Sequence, residues 1–162
     1  MNIANLAQKT NFIAGSDKLK LTELYLTTVN LPGVTIDHPE LSAGAGAKLN
    51  LTGDNITYNT LSFNLLVDED FLIYHEFMGK IFNNVNPESG SFANIEFDFW
   101  VQINNSKGHK LFKIDFTNCR VESIEDIEFD TASDETEFTL DVEIKYDYFT
   151  IDRGQIAPKL AV

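Results

Sequence analysis

Cysteine, tryptophan and cationic side chains are the scarce components of this sequence, and each scarcity excludes something. With Cys119 as the one cysteine, an intrachain disulfide framework is impossible. Only 12 lysines and arginines stand against 25 aspartates and glutamates, a formal net charge of −13. A chain so charged is not built to grip nucleic acid, because affinity for phosphate backbones comes largely from Lys and Arg neutralising them. No apolar run approaches the ~18–20 residues of a membrane-spanning helix, so no membrane insertion is expected. The start, MNIANLAQKTN, shows neither the charged nor the apolar region of a signal peptide, which predicts synthesis in a cytoplasm without export by that route. No repeat at a fixed period is present, and the small Ala/Gly patch at residues 43–47 is the only low-complexity tract.

What is present is a chain of 162 residues, enough for one domain. Residues 1–162 read as a single unit, with 1–18 and 153–162 as flexible or assembly-ordered tails, although Phe12 and Ile13 could seat a short edge strand. Thirteen Phe and five Tyr suit half-buried pleated surfaces. The run Leu19–Val29 reads as a strand that stops at Leu31-Pro32-Gly33, and Val34-Thr35-Ile36 resumes it. Pro32 presets its own φ and Gly33 offers the positive φ of a type II turn. Ser42–Ala47 reads as a loop, Lys48–Thr52 as a brief alternation, and Gly53-Asp54-Asn55 as a turn. Ile56–Val67 reads as one longer strand, with Leu61, Phe63, Leu65 and Val67 opposite Ser62 and Asn64.

The period then changes. Phe71, Tyr74, Met78, Ile81 and Phe82 recur at spacings of three and four, which predicts a helix over Glu69–Asn83, capped by the carboxylates Asp68-Glu69-Asp70 and ended by Asn86-Pro87. Strand alternation returns from Ile95 to Ile103, turns at Asn104–Gly108 and resumes over Leu111–Thr117, an antiparallel hairpin. Ile124, Ile127 and Phe129 fall in an acidic connection. From Phe138 to Tyr148 the alternation is unbroken, apolar against Glu137, Thr139, Asp141, Glu143, Lys145 and Asp147. The fold class is mainly β with one central helix.

Catalytic and ligand motifs are not found. Gly44-Ala45-Gly46 lacks the third glycine and the strand–helix context of a dinucleotide site and reads as a loop. His38, His75 and His109 lie far apart without a zinc-type partner, so no metal and no cofactor is expected. Cys119, just beyond a strand, reads as a buried structural thiol. Asp68-Glu69-Asp70 and Glu125-Asp126 with Glu128 lack the ligand order of a calcium loop and read as capping and solvation. The chain is expected not to be an enzyme. A β domain must still satisfy its sheet edges, and assembly is one way to do so. The carboxylates on the polar faces of the late strands fit either the inner wall of a closed ring or an ordinary solvated face.

Three stretches carry a resemblance. They are Val29-Asn30-Leu31-Pro32-Gly33, the run TLSFNLLVDEDFLIYHEF over 60–77, and FTNCRVESIEDIEFDTASDETEFTLDVEIKYDYF over 116–149. In this order they resemble the tail tube protein family of contractile-tailed bacteriophages, with the related tube and tube-initiating proteins of baseplates and contractile injection systems. The resemblance implies an antiparallel β-sandwich or partial barrel whose sheets join those of five neighbours into a hexameric ring with a continuous inner barrel, the rings stacking into a tube. It implies sheath, baseplate and tail-terminator partners, and a place in the tail of a virion assembled in the host cytoplasm. It also implies a lumen through which DNA passes without specific binding. Glu137, Asp141, Glu143 and Asp147, or alternatively Glu96, Asp98 and Asp115, are then candidates for lumen residues. A specialised initiator or terminator ring fits the same residues. A more distant alternative is a monomeric ligand-binding sandwich that stacks sugars on Tyr25, Tyr58 and Trp100.

Overall fold

The computed structural model describes residues 11–19, 25–42, 48–50, 53, 55–85, 96–130 and 137–153. In chain order the elements are β1 (Phe12–Gly15), β2 (Leu26–Asn30), β3 (Val34–Asp37), β4 (Glu40–Ser42), β5 (Lys48–Asn50), β6 (Asn55–Tyr58) and β7 (Leu61–Leu66). There follow the helix α1 (Leu72–Val85), β8 (Phe97–Asn104), β9 (Lys110–Ile124), β10 (Thr139–Lys145) and β11 (Tyr148–Arg153). Every strand pairing is antiparallel.

β9 organises the molecule because it belongs to two sheets. From Lys110 to Cys119 it pairs with β8, and β11 lies on its other edge along Phe112–Thr117. From Arg120 to Ile124 it pairs instead with β10. The first sheet is therefore β1-β8-β9-β11 and the second β9-β10-β7-β2. A strand that changes sheets needs a sharp local bend. Asn118 supplies it by adopting φ 55°, a left-handed conformation that Asn tolerates better than most residues. Its backbone N–H donates to Asp98 Oδ1 (3.2 Å) and its side-chain amide to Asp147 Oδ2 (2.9 Å).

The inner faces of the two sheets meet in a core rich in phenylalanine. Leu61, Phe63, Leu65, Leu140, Val142 and Ile144 point inward from the second sheet, and Phe97, Phe99, Val101, Ile114 and Phe116 from the first. Phe63 stacks on Phe99 at 5.1 Å between ring centres and 6° between planes, and Phe77 of α1 lies 5.9 Å from Phe63. The helix thus covers the core through Ile73 and Phe77, both fully buried. Its N-terminus is capped by Asp68, whose two carboxylate oxygens accept from the N–H groups of Leu72 and Ile73 at 3.1 Å each. Burial works against the charge on Asp68, but these bonds outweigh it and hold the carboxyl below its ordinary range.

Several sequence expectations are corrected. The helix starts at Leu72, three residues late, because Phe71 takes a left-handed φ of 55° after the Asp68–Asp70 turn. Of the strand expected over Leu19–Val29, the described part begins at Leu26, and Tyr25 is helical. Gly33 does not adopt positive φ; it sits instead against Asn59, whose N–H donates to Gly33 O at 3.1 Å and whose side chain leaves 3.1 Å for a Cβ. Ile56–Val67 is not one strand, because β6 pairs with β3 outside the two main sheets whereas β7 pairs with β2 and β10 within the second. The strand expected to end at Thr117 runs on to Ile124. The run Phe138–Tyr148 breaks at Tyr146-Asp147, where the chain leaves the second sheet and β11 joins the first. Phe12–Gly15 forms the edge strand β1, as Phe12 and Ile13 allow. Residues 43–47, the whole of the polar turn Thr131–Glu135 and the segment 154–162 lie outside the described residues.

The β8–β9 hairpin follows the expected turn. Gly108 takes φ 78°, and Asn105 Oδ1 accepts from the N–H groups of Lys107 and His109 at 2.9 Å. Cys119, one residue past the bend, is fully buried, and burial pushes its thiol up to about 12.

Two outcomes test the bend. Asn118→Val forces a β-branched side chain into the left-handed region and removes the bond to Asp147, and urea unfolding should show a loss of about 2–3 kcal/mol. Asn118→Gly relieves the backbone and should lose only about 1 kcal/mol. Iodoacetamide at pH 8 should leave Cys119 unmodified in the folded protein and label it in urea; labelling at equal rates in both would show that the corner opens freely.

Candidate assembly surfaces

The outer face of the second sheet is polar apart from Leu66 at the end of β7. Alternation places Asp141 and Glu143 on it from β10, Ser62 and Asn64 from β7, and Ser123 from the end of β9. These side chains form a hydrogen-bonded ladder across the strands. Thr27 donates to Asn64 Oδ1 (2.6 Å), Asn64 Nδ2 to Asp141 Oδ1 (2.8 Å), Asn30 Nδ2 to Ser62 Oγ (3.1 Å) and Ser123 Oγ to Glu143 Oε2 (3.2 Å). Cross-strand pairs of this kind each add a few tenths to ~1 kcal/mol and fix the register. At the bulge between Glu143 and Ile144, Lys145 is paired with Glu122.

The candidate lumen carboxylates do not share one environment. Asp141 and Glu143 are together on this face, each hydrogen-bonded to a neutral side chain. Glu137 is exposed just before β10. Asp147 lies beyond the end of β10, at the bend, where it accepts from Asn118 and stands 3.6 Å from Arg120. Asp98 is at the same bend through its bond to the Asn118 N–H, and Glu96 accepts from Arg120 at 2.6 Å. Asp115 belongs to the first sheet and pairs with Lys113 at 2.6 Å. Glu96 and Asp115 are therefore paired with cations in place, whereas Asp141 and Glu143 bond neutral side chains.

Both lateral edges of the second sheet end without a paired strand among the described residues. β2 closes one side, and Arg120–Ile124 of β9 forms the other, touched by the helix through Asn84 Nδ2 and Val121 O at 3.4 Å. Unpaired strand edges are templates for another chain.

Sequence reading gave no warning of the third surface. β3 and β6 form a two-stranded arm outside the main sheets, followed by the pair β4–β5. Val34 stands opposite Tyr58 and Ile36 opposite Ile56, so all four side chains share one face, and all are exposed; Ile36 keeps 48% of its surface and Ile56 55%. A two-stranded ribbon with an uncovered apolar face is marginal in water. Its root is held by rings: Tyr58 lies 5.9 Å from Tyr146 and 5.6 Å from Phe149, and Phe116 is 4.9 Å from Tyr146. Burial pushes the Tyr146 phenol up to about 12, and its hydroxyl is buried without a hydrogen-bond partner. Near the arm's far end Gly53 is required, because a Cβ there would meet Asp37 O at 1.6 Å. The signal available in the sequence was the alternation of Val34, Ile36, Ile56 and Tyr58, but alternation does not say whether an apolar face meets a core.

The three aromatics of a sugar platform are engaged separately. Tyr25 packs against the core, Tyr58 holds the arm, and Trp100 lies under Lys113 Nζ at 5.2 Å. Among the described residues no group of three or more His, Cys, Asp and Glu is placed to hold a metal. Of the histidines, His38 accepts from the Gly53 N–H, and His75 and His109 are exposed.

No family model matches the sequence, and no curated protein matches it. Among solved structures, the tube-terminating cap of the anti-feeding prophage is similar at a TM-score of 0.69 and 15% identity, covering 95% of this chain and 95% of that one. A chain of the sheath–tube complex of the extracellular contractile injection system PVC, in its extended state, gives 0.66 and 13% over 94% and 95%. A chain of the anti-feeding prophage baseplate, six-fold symmetrised, gives 0.68 and 10% over 92% and 97%. This chain therefore has the mainly β, antiparallel fold of tube, cap and baseplate proteins of contractile injection systems.

Proposed function

We propose that the chain is a single-domain, non-enzymatic ring-forming subunit of the inner tube of a contractile tail-like particle. The observation that carries this reading is the exposed apolar face of the β3–β6 arm, which has no covering layer among the described residues of one copy. Covering Val34, Ile36, Ile56 and Tyr58 stabilises by about 1 kcal/mol each for the half of each side chain still in water, enough to favour stacking when repeated around a ring. Within a ring, the β2 edge of one copy pairs with the Arg120–Ile124 edge of the next, joining the second sheets into one barrel. Six copies are proposed, in line with the symmetry named for the baseplate relative. Sheath, baseplate and tail-terminator proteins are the proposed neighbours, and the particle is a virion tail or a related injection device assembled in the host cytoplasm.

The barrel's inner wall is the outer face of the second sheet, with Asp141 and Glu143 as its anionic residues and Asn30, Ser62, Asn64 and Ser123 as neutral ones. Such a wall repels phosphates mildly and offers no cationic grip, which suits passage of DNA without binding.

Negative-stain electron microscopy of the purified protein over a range of concentration and salt should show stacked tubes, since salt screens the net charge of −13. Ile36→Lys with Ile56→Lys should leave the unfolding midpoint nearly unchanged and abolish stacking. Isolated rings from the native chain would assign it to a tube end, and a monomer under all conditions would overturn the reading. In tubes carrying Asp141→Lys and Glu143→Lys, short double-stranded DNA should be retained where native tubes release it; equal release from both would remove these residues from the wall.

A further inference from the structure

The groove between α1 and the segment after β9 begins at Ile124, the last residue of the β9 edge used in the ring reading, and the rest of its lining takes no part in that contact. It has a volume of about 600 Å³ and is lined by Phe71, Tyr74 and Met78 on one side and Ile127 and Phe129 on the other. Its floor is an aromatic cluster. Phe71 stacks on Phe129 at 6.0 Å and 26°, Phe138 lies 5.9 Å from Phe71, and Phe129 and Phe138 are 4.9 Å apart. Phe129 nevertheless keeps 69% of its surface exposed, so the cluster presents an open aromatic face.

Two further features set this place apart from an accidental dent. Phe71 holds φ 55°, a conformation that costs an aromatic residue about 1–2 kcal/mol, and it is this bend that brings the ring into the cluster. The rim carries one sign of charge. Glu125 and Asp126 line the groove, Glu128 is exposed beside Phe129, and Glu69 and Asp70 are exposed in the turn before Phe71. No lysine or arginine is in the lining.

We propose that this groove docks a cationic amphipathic helix of a different polypeptide. The apolar floor fits the apolar stripe of such a helix, and the carboxylate rim fits lysines or arginines flanking it. A strand is a poor fit, because the walls are a helix and an irregular segment, and the Glu125 N–H is already bonded to Asp141 O at 3.0 Å. A second copy is a poor fit, because it brings a net charge of −13 to a rim of carboxylates. The proposal concerns the surface of one chain and stands whether or not the chain forms rings.

The test uses a fluorescein-labelled helix of about 18 residues with leucines on one face and lysines on the other, titrated with the full chain by fluorescence anisotropy. A peptide of the same composition in scrambled order and one with glutamate for lysine serve as comparisons. The amphipathic lysine peptide should bind, and salt should weaken it. Glu125→Lys with Asp126→Lys should weaken binding about tenfold, and so should Phe129→Ser. Asp17→Lys with Asp152→Lys, which removes as much negative charge elsewhere on the surface, should change it by less than about twofold. All substituted side chains are exposed, and thermal unfolding checks that each variant folds. Equal losses from both charge reversals, or equal binding of the scrambled or glutamate peptide, would overturn the proposal, as would no binding of the lysine peptide.

Discussion

The left-handed bend at Asn118 lets one strand serve two sheets, and most of the remaining architecture depends on that sharing. Because β9 pairs with β8 and β11 before the bend and with β10 after it, the two sheets enclose the phenylalanines between them. The bend is held from three directions. Asp98 receives the Asn118 N–H from β8, Asp147 receives its amide from the turn after β10, and the Asp147 N–H returns to Thr117 O at 3.1 Å. Arg120 adds charge compensation to Glu96 and Asp147, although pairs this exposed contribute little on their own. Geometry matters more here than ion-pair energy. A shift of the bend by one residue would turn the buried set Cys119, Val121 outward and expose Arg120 to the core.

The same corner explains why sequence patterning reads some elements well and others badly. The helix is legible because the spacing of Phe71, Tyr74, Met78 and Ile81 differs from the strand period and Asp68 caps it, but its first residue is not, since Phe71 breaks the helical backbone while keeping the apolar position. Period-2 alternation persists through Tyr146-Asp147 because the strands on either side bury against one core, whereas at Asn118 it slips by one, from Ile114 and Phe116 to Cys119 and Val121, and reads as the end of a strand. The pattern records which side is apolar and carries no mark of a change of sheet. The Leu31-Pro32-Gly33 corner is legible as a break in the strand. The role of its glycine is not, because what it accommodates is Asn59, 26 positions further along the chain.

The candidate surfaces are legible only in part, for a related reason. Alternation identifies Asp141 and Glu143 as facing away from the core, but equally Asp115 and Asp98. What separates them is their partners: Asp115 pairs with Lys113 two residues away on the same strand, whereas Asp98 accepts from the Asn118 N–H of β9, a contact that depends on the bend of a neighbouring strand. Neutral residues such as Asn30, Ser62 and Asn64 carry no charge signal at all, yet they make up most of the polar ladder. The arm is the extreme case. Its sequence looks like any pair of half-buried strands, and only the absence of a facing layer makes Ile36 and Ile56 a surface.

These surfaces differ in chemistry, and the difference bears on how an acidic chain assembles. A net charge of −13 opposes like-to-like association at long range. The arm's exposed face offers four apolar side chains, and the edges of the second sheet offer backbone N–H and C=O groups. Contacts between copies can then form through short-range burial and hydrogen bonding, which charge repulsion weakens least once salt screens it beyond about 8–10 Å. Elsewhere, Asp141 and Glu143 bond neutral donors on the polar face, and Glu125 and Asp126 line the aromatic groove. On the readings proposed above, such segregation separates the face that repels a polyanion from the groove that takes a cationic segment and from the arm that meets other copies.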